Sequence, residues 1–161
     1  MDRNALTTCL WFDTEAEAAA TFYTSVFKDS RLGGVSRYTD AGPGTAGAVM
    51  TVEFELNGQR FVALNGGPQY TFSEAISFQI PCADQAEVDY YWSSLSAGGQ
   101  EVACGWLKDK FGMSWQVIPS AFFEMMSGPD PEKASRVIAT MLTMTKFDIA
   151  ALQKAYAGEG E

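Results

Sequence analysis

The pattern of apolar and polar positions predicts most of the secondary structure. Residues 6–12 are dense in Thr, Cys and aromatics and predict a strand. From 15 to 27, Ala18, Phe22, Val26 and Phe27 recur at helical spacing. Thr14 and Glu17 are spaced as a T-x-x-E capping box, which predicts the start of that helix. Gly33-Gly34 is expected to end the unit, and Gly42-Pro43-Gly44 with Gly47 to form a loop. Between 49 and 56, Val49, Thr51, Glu53 and Glu55 alternate with Met50, Val52, Phe54 and Leu56, the mark of a half-buried strand. Asn57-Gly58 is a strong hairpin signal and makes 60–65 the return strand.

The same order then recurs. Residues 75–80 predict a strand with Ile76, Phe78 and Ile80 on one face and Ser77 and Gln79 on the other. Residues 84–95 carry Val88, Tyr91, Trp92 and Leu95 at helical spacing behind an Asp84/Glu87 capping box. Gly98-Gly99 ends this helix, and 101–107 and 113–118 predict strands around a turn at Lys110-Phe111-Gly112. Aligning Thr14 with Asp84 also aligns Phe22 with Trp92. Strand, capped helix and hairpin in the same order twice indicate a duplicated unit.

The C-terminal part departs from the repeat. Asp130-Pro131 predicts a capped helix over 132–144. A second helix is expected over 149–156 behind Asp148 and stopped by Gly158, with 158–161 frayed. The expected boundaries are 1–70 for a first module, 71–125 for a second and 126–161 for a helical extension, all in one compact domain.

Composition bounds the class. At 161 residues the chain can bury a full core without disulfides or metals. With 13% aromatics it is not a disordered chain. No stretch approaches the about 18 apolar residues of a membrane span. Eleven basic residues against twenty acidic give a net charge of −9. That field repels phosphate backbones and anionic lipid, so neither nucleic acid nor membrane is expected as a partner. Residues 1–6 have no apolar signal region, and the three cysteines have no CxxC spacing, which fits a cytoplasmic protein with free thiols. The chain has no histidine, which removes Ser-His-Asp and Cys-His nucleophiles and every imidazole metal site.

Several runs resemble the PhnB-like family: Leu10-Trp11-Phe12-Asp13, Phe22-Tyr23-Thr24-Ser25-Val26-Phe27, Leu64-Asn65-Gly66-Gly67-Pro68, Ser77-Phe78, Asp89-Tyr90-Tyr91-Trp92 and the long run from Cys104-Gly105-Trp106 to Ser114-Trp115-Gln116. The end, from Phe147-Asp148-Ile149 to Ala157-Gly158, is similar too. The family lies in the vicinal oxygen chelate superfamily of glyoxalases, bleomycin-resistance proteins and extradiol dioxygenases. The resemblance implies an α+β fold of tandem βαβββ modules forming a curved mixed sheet around a cleft, with C-terminal helices added, within a homodimer. It also brings a 3-demethylubiquinone 3-methyltransferase label. Methyl transfer from S-adenosylmethionine normally uses a Gly-rich strand-to-helix loop opening a doubly wound sheet. Gly42-Pro43-Gly44 and Asn65-Gly66-Gly67-Pro68 are not such loops, so the label is not expected to hold.

Metal-dependent members of the superfamily place ligands on four strands. Matched by pattern, the first strand offers Thr8 or Cys9, the next Val62 or Ala63, the fifth Ser77 and Gln79, and the last Gln116. Amides and hydroxyls are weak ligands, so no bound metal and no cofactor are expected. Gln79 and Gln116 read instead as a polar pair lining a cleft. Trp11, Trp106 and Trp115 are core or cleft-lining aromatics, and Trp11 and Trp115 are the expected apolar contacts for a ligand. Glu53 and Glu55 share a strand face, suited to acid–base work or to simple solvation. Asp109-Lys110 reads as a surface ion pair or turn former. Cys82 precedes a helix, but Asp84 argues against an activated thiolate. The expected function is binding of an unidentified small molecule through Thr8, Trp11, Ser77, Gln79, Trp115 and Gln116. The alternatives are a metal-dependent lyase or dioxygenase-like enzyme and a dimeric interaction protein.

Overall fold

The computed structural model describes residues 6–159. The expectations made for residues 1–5, Gly160 and Glu161 therefore lie outside the described residues. Eight strands form two four-stranded mixed sheets, one in each of two compact units that meet in sequence between Phe72 and Ser73. The class is α+β.

The first unit runs β1 (Thr8–Phe12), α1 (Ala16–Val26), β2 (Ser30–Arg37), β3 (Val49–Leu56) and β4 (Gln59–Asn65). Its strand order is β1-β4-β3-β2, with β1 parallel to β4 and the other pairs antiparallel. Asn57-Gly58 makes the expected two-residue turn between β3 and β4. The second unit repeats this topology: β5 (Ser77–Cys82), α2 (Gln85–Ser96), β6 (Gln100–Glu101), β7 (Trp106–Lys108) and β8 (Ser114–Pro119), in the order β5-β8-β7-β6 with β5 parallel to β8. Three helices follow: α3 (Ser120–Met126), α4 (Pro131–Met141) and α5 (Ile149–Ala157).

Several local expectations are corrected. The Thr14/Glu17 box does not cap α1. Its N-cap is Glu15, and the Asn65 side chain at the end of β4 accepts from Ala16 N at 2.8 Å. A tertiary acceptor replaces the local one. The buried stripe of α1 is Ala16, Ala19, Ala20, Tyr23 and Val26, while Ala18 is exposed and Phe22 only half-buried. Small alanines let the helix sit close to the sheet, where Tyr23 stacks on Phe54 and Phe54 on Phe61. Tyr23, not Phe22, thus matches Trp92 of α2. The spacing Ala19, Tyr23, Val26 repeats as Val88, Trp92, Leu95.

Gly33-Gly34 does not end the unit. Both residues lie within β2, at a register shift between Leu32 and Val35. A Cβ on Gly33 would stand 3.0 Å from the Glu53 Cβ, so the missing side chain lets β2 bulge against β3. The expected strand over 101–107 is two short strands, β6 and β7, broken by a turn with Cys104 at φ 58° and Gly105 at φ 79°. The strand expected at 75 starts at Ser77, and Ile76 is exposed. The helix expected to 144 ends at Met141, and α3 was not foreseen. The Asp84/Glu87 box does form: Asp84 accepts from Glu87 N at 2.9 Å, and Glu87 accepts from Ala83 N at 2.8 Å. Asp130, Asp148 and Gly158 cap and stop the last two helices as expected.

The C-terminal helices are tied to the second sheet through backbone and side-chain bonds. Cys104 N and Gly105 N donate to Met144 O and Thr145 O, both at 2.8 Å. The Gln85 amide donates to Phe147 O at 3.0 Å and accepts from Ile149 N at 2.9 Å. Phe147 is buried against Gly105, where any Cβ would lie 2.3 Å from its ring.

Asp109 is buried, at 3% exposure, so it is a turn former but not a surface ion pair. One carboxylate oxygen accepts from Phe111 N at 2.8 Å and Met113 N at 3.1 Å, and the other from the Trp115 indole at 2.8 Å. Asp109→Ala leaves those three donors without their acceptor. It is expected to cost about 2–4 kcal/mol in urea unfolding, whereas exposed Asp40→Ala should stay within about 0.5 kcal/mol.

Candidate functional site

Strand alternation divides the second sheet into two faces. Ile80, Cys82, Leu107, Trp115 and Val117 point to one face and are buried beneath α2 and its surroundings. Ser77, Gln79, Trp106, Lys108, Ser114 and Gln116 point to the other. The parallel register sets Ser77 beside Ser114 and Gln79 beside Gln116, and the β7–β8 hairpin sets Trp106 on the far side of Gln116. The Gln79 amide donates to Gln116 Oε1 at 3.3 Å, and the Gln116 amide donates to Ser77 Oγ at 2.7 Å. The result is a short ladder of neutral polar groups, with Gln79 exposed and Gln116 half-buried. Ser114 Oγ, next in the row, is buried with no hydrogen-bond partner among the described residues. Lys108 ion-pairs with Glu74, whose exposed carboxyl it holds below the usual carboxylate range.

The four indoles divide sharply. Trp92 donates to Glu101 at 2.7 Å, Trp115 to Asp109 at 2.8 Å and Trp11 to Gly67 O at 2.8 Å. Trp106 is half-buried, and its indole N–H has no partner among the described residues. Of the ligand-contact residues expected from the sequence, Ser77, Gln79 and Gln116 come together. Trp115 follows Gln116 on the strand, so it points to the opposite face and packs against Phe78. Trp106 takes the place expected of it. Trp11 and Thr8 belong to the first unit. There Trp11 meets Tyr70 edge-on, and Thr8 accepts from Gln59 at 3.2 Å. Thr8 shares the face of buried Leu10 and Phe12, while Cys9 is exposed on the other face, opposite Val62.

Residues 4–118 match the family described as 3-demethylubiquinone-9 3-methyltransferase. The chain belongs to that family. It is a PhnB-like member of the vicinal oxygen chelate superfamily. A Bacillus cereus PhnB protein with the same methyltransferase description is 35% identical, with 71% of this chain and 98% of that one covered and a TM-score of 0.65. A protein from Pseudomonas aeruginosa is 18% identical over 71% of this chain and 96% of its own, with a TM-score of 0.59. The fosfomycin resistance protein FosX from Listeria monocytogenes is 16% identical over 80% of this chain and 100% of its own, with a TM-score of 0.53. These last two share the fold. None of the curated protein sequences matches the chain. The family match ends at Ile118, so α3–α5 and the likeness read at 147–158 lie beyond it.

The donors of the Ser77, Gln79 and Gln116 row do not fit a resident divalent cation. Gln79, Gln116 and Ser77 offer only neutral amide and hydroxyl oxygens, and those of Gln116 and Ser77 already accept from the Gln79 and Gln116 amides. Among the described residues no three His, Cys, Asp or Glu side chains come close enough to hold a metal ion. Hard cations are held tightly only with carboxylates among their oxygen ligands, and zinc, nickel and copper favour imidazole or thiolate. Nor do the carboxylates form an acid–base pair: Glu55 binds Arg31 at 2.6 Å, and Glu53 stands exposed.

Cys82 lies behind Asp84 at the start of α2 and is fully buried. Burial pushes its thiol up to about 12, helped by the negative charges of Glu87 and Asp84. Alkylation of the native protein at mildly alkaline pH is expected to modify exposed Cys9 and spare Cys82, as read by peptide mass mapping. Because the folded thiol holds its proton longer than the unfolded one, its contribution to stability is intact below the unfolded value of about 8.5. That contribution falls as pH rises from there toward 12. Cys82→Ala should flatten this alkaline loss in denaturation midpoints.

Proposed function

We propose that this PhnB-like protein binds an uncharged, flat, polar small molecule on the open face of its second sheet, without a catalytic metal, as a cytoplasmic homodimer. The observation that carries this reading is the Ser77–Gln116–Gln79 amide ladder beside the unpartnered indole of Trp106. Amides present both donors and acceptors and can fix the orientation of a neutral ligand. Trp106 supplies apolar area and a free N–H at the ladder's edge. Charged ligands would find no counter-charge in the ladder, since Lys108 is already held by Glu74.

The family's methyltransferase description has no support in the strand-to-helix connections. They are Asp13-Thr14-Glu15 and Ala83-Asp84, without glycine, and neither sheet is doubly wound. For the superfamily's metal chemistry, the described residues bring together no three His, Cys, Asp or Glu side chains.

Gln116→Leu and Gln79→Leu keep side-chain bulk while removing the amide. Each is expected to weaken binding by about 1–3 kcal/mol, with the melting temperature nearly unchanged. Native mass spectrometry of the protein as purified detects bound ligand, and tryptophan-fluorescence titration with benzamide-type amides measures affinity. Trp106→Phe should remove most of the fluorescence response. One equivalent of zinc, nickel or iron in wild type, lost in Gln116→Leu, would overturn this reading in favour of a metal enzyme.

A further inference from the structure

We propose a second binding site, for a small zwitterion of amino-acid size, on the open face of the first sheet. It is independent of the amide ladder. Arg31, Glu55 and Arg60 lie in one row across β2, β3 and β4. Arg31 Nη2 takes Glu55 Oε2 at 2.6 Å, so the Glu55 charge is met from one side. Arg60, half-buried on the other side, makes no hydrogen bond or ion pair among the described residues. In the next row Glu53 lies opposite Val62 and also lacks a partner among the described residues. Glu53 and Arg60 are therefore diagonal neighbours, roughly 7–8 Å apart at the backbone. A solvent-open hollow of about 310 Å³ adjoins both, with Val62 as an apolar wall.

Gly33 keeps the hollow open. Any side chain there would begin 3.0 Å from the Glu53 Cβ and 3.1 Å from its carbonyl oxygen. The chemistry of the walls selects the ligand. The planar guanidinium of Arg60 matches a carboxylate bidentately. Glu53 accepts from an ammonium group. A molecule carrying both charges pairs both side chains and adds no net charge to the hollow. An anion alone would leave Glu53 unpaired and meet the field of a chain at −9, and a cation alone would leave Arg60 unpaired. The volume is at the small end of the roughly 300–1,000 Å³ of ligand pockets.

Three molecules with one skeleton separate the possibilities: L-leucine, cationic L-leucinamide and anionic 4-methylpentanoate. Each is titrated into isotope-labelled protein and followed by amide chemical shifts and calorimetry. L-leucine is expected to bind at least about tenfold tighter than either analogue, with shifts centred on Gly33, Glu53 and Val62. Arg60→Gln should reduce L-leucine to the affinity of leucinamide, and Glu53→Gln to that of the acid. Gln116→Leu should leave L-leucine binding unchanged. Arg60→Lys, which keeps the charge but not the fork, should fall between, and it carries the test if Arg60→Gln melts early. The proposal is overturned if L-leucine binds no better than the analogues, fails to bind at millimolar concentration, or shifts only Gln79 and Gln116.

Discussion

The parallel pairing of the first and last strands within each unit sets everything else. With β1 parallel to β4, β1 also runs parallel to β2 at the far edge, so no tight turn can join these consecutive strands and the chain crosses the sheet through α1, as it does from β5 to β6 through α2. The helix covers one face of the sheet and leaves the other open. Once β5 lies beside β8 in register, every side chain is assigned to one of these environments. Gln79 and Gln116 fall on the open face and can meet. Trp115, one residue before Gln116, must face the helix side, where its indole can reach Asp109. A slip of β8 by one residue would exchange these roles, burying the Gln116 amide and exposing Trp115. The buried carboxylate of Asp109 opposes such a slip, because it accepts from Phe111, Met113 and Trp115 together.

Much of this was legible in the residues, and the failures have physical causes. The hairpin at Asn57-Gly58 and the boxes at Asp84, Asp130 and Asp148 are local interactions, and they form as read. The N-terminus of α1 was misread because its cap comes from Asn65, forty-nine residues away. Glycine pairs were ambiguous: Gly98-Gly99 follows a helix, whereas Gly33-Gly34 sits inside a strand because β3 passes too close for a side chain. The amide ladder could be read because Ser77, Gln79 and Gln116 are polar interruptions in otherwise apolar strands. Trp106 reads from the residues as core or cleft-lining, without its position beside Gln116. That position follows from hairpin register alone: a turn centred on Phe111 sets residue 106 opposite 116 and 108 opposite 114.

The C-terminal helices show how an addition beyond the family's common core is fixed to it. Their attachment uses the one strained break in the second sheet. The turn at Cys104 and Gly105, between β6 and β7, leaves two backbone N–H groups outside the sheet's ladder, and Met144 and Thr145 accept both. The left-handed conformation of Cys104 costs energy for a side chain with a Cβ. The hydrogen bonds and the buried ring of Phe147 against Gly105 offset it. Gln85, in the first turn of α2, then fixes the segment from the other side through both ends of its amide. The helices are thus held at the backbone of the sheet and at α2.

The two units keep one topology and carry opposite chemistry on their open faces. Where the second unit sets Gln79, Gln116 and Trp106 in a row, the first sets Cys9, Val62 and Glu53 at the corresponding strand positions. Duplication preserves what the fold requires: an apolar helix side and the parallel pair. Exposed positions on these faces, such as Gln79 and Glu53, bear little on folding, because solvated side chains contribute little to stability. They are free to diverge. One face carries a neutral hydrogen-bonding row, and the other a charged hollow where Arg60 and Glu53 have no partner among the described residues. Imidazole and clustered carboxylates, the groups that would turn either face into a metal centre, are missing from both rows. The row on the second sheet presents donor and acceptor geometry, and the row on the first presents charge of both signs.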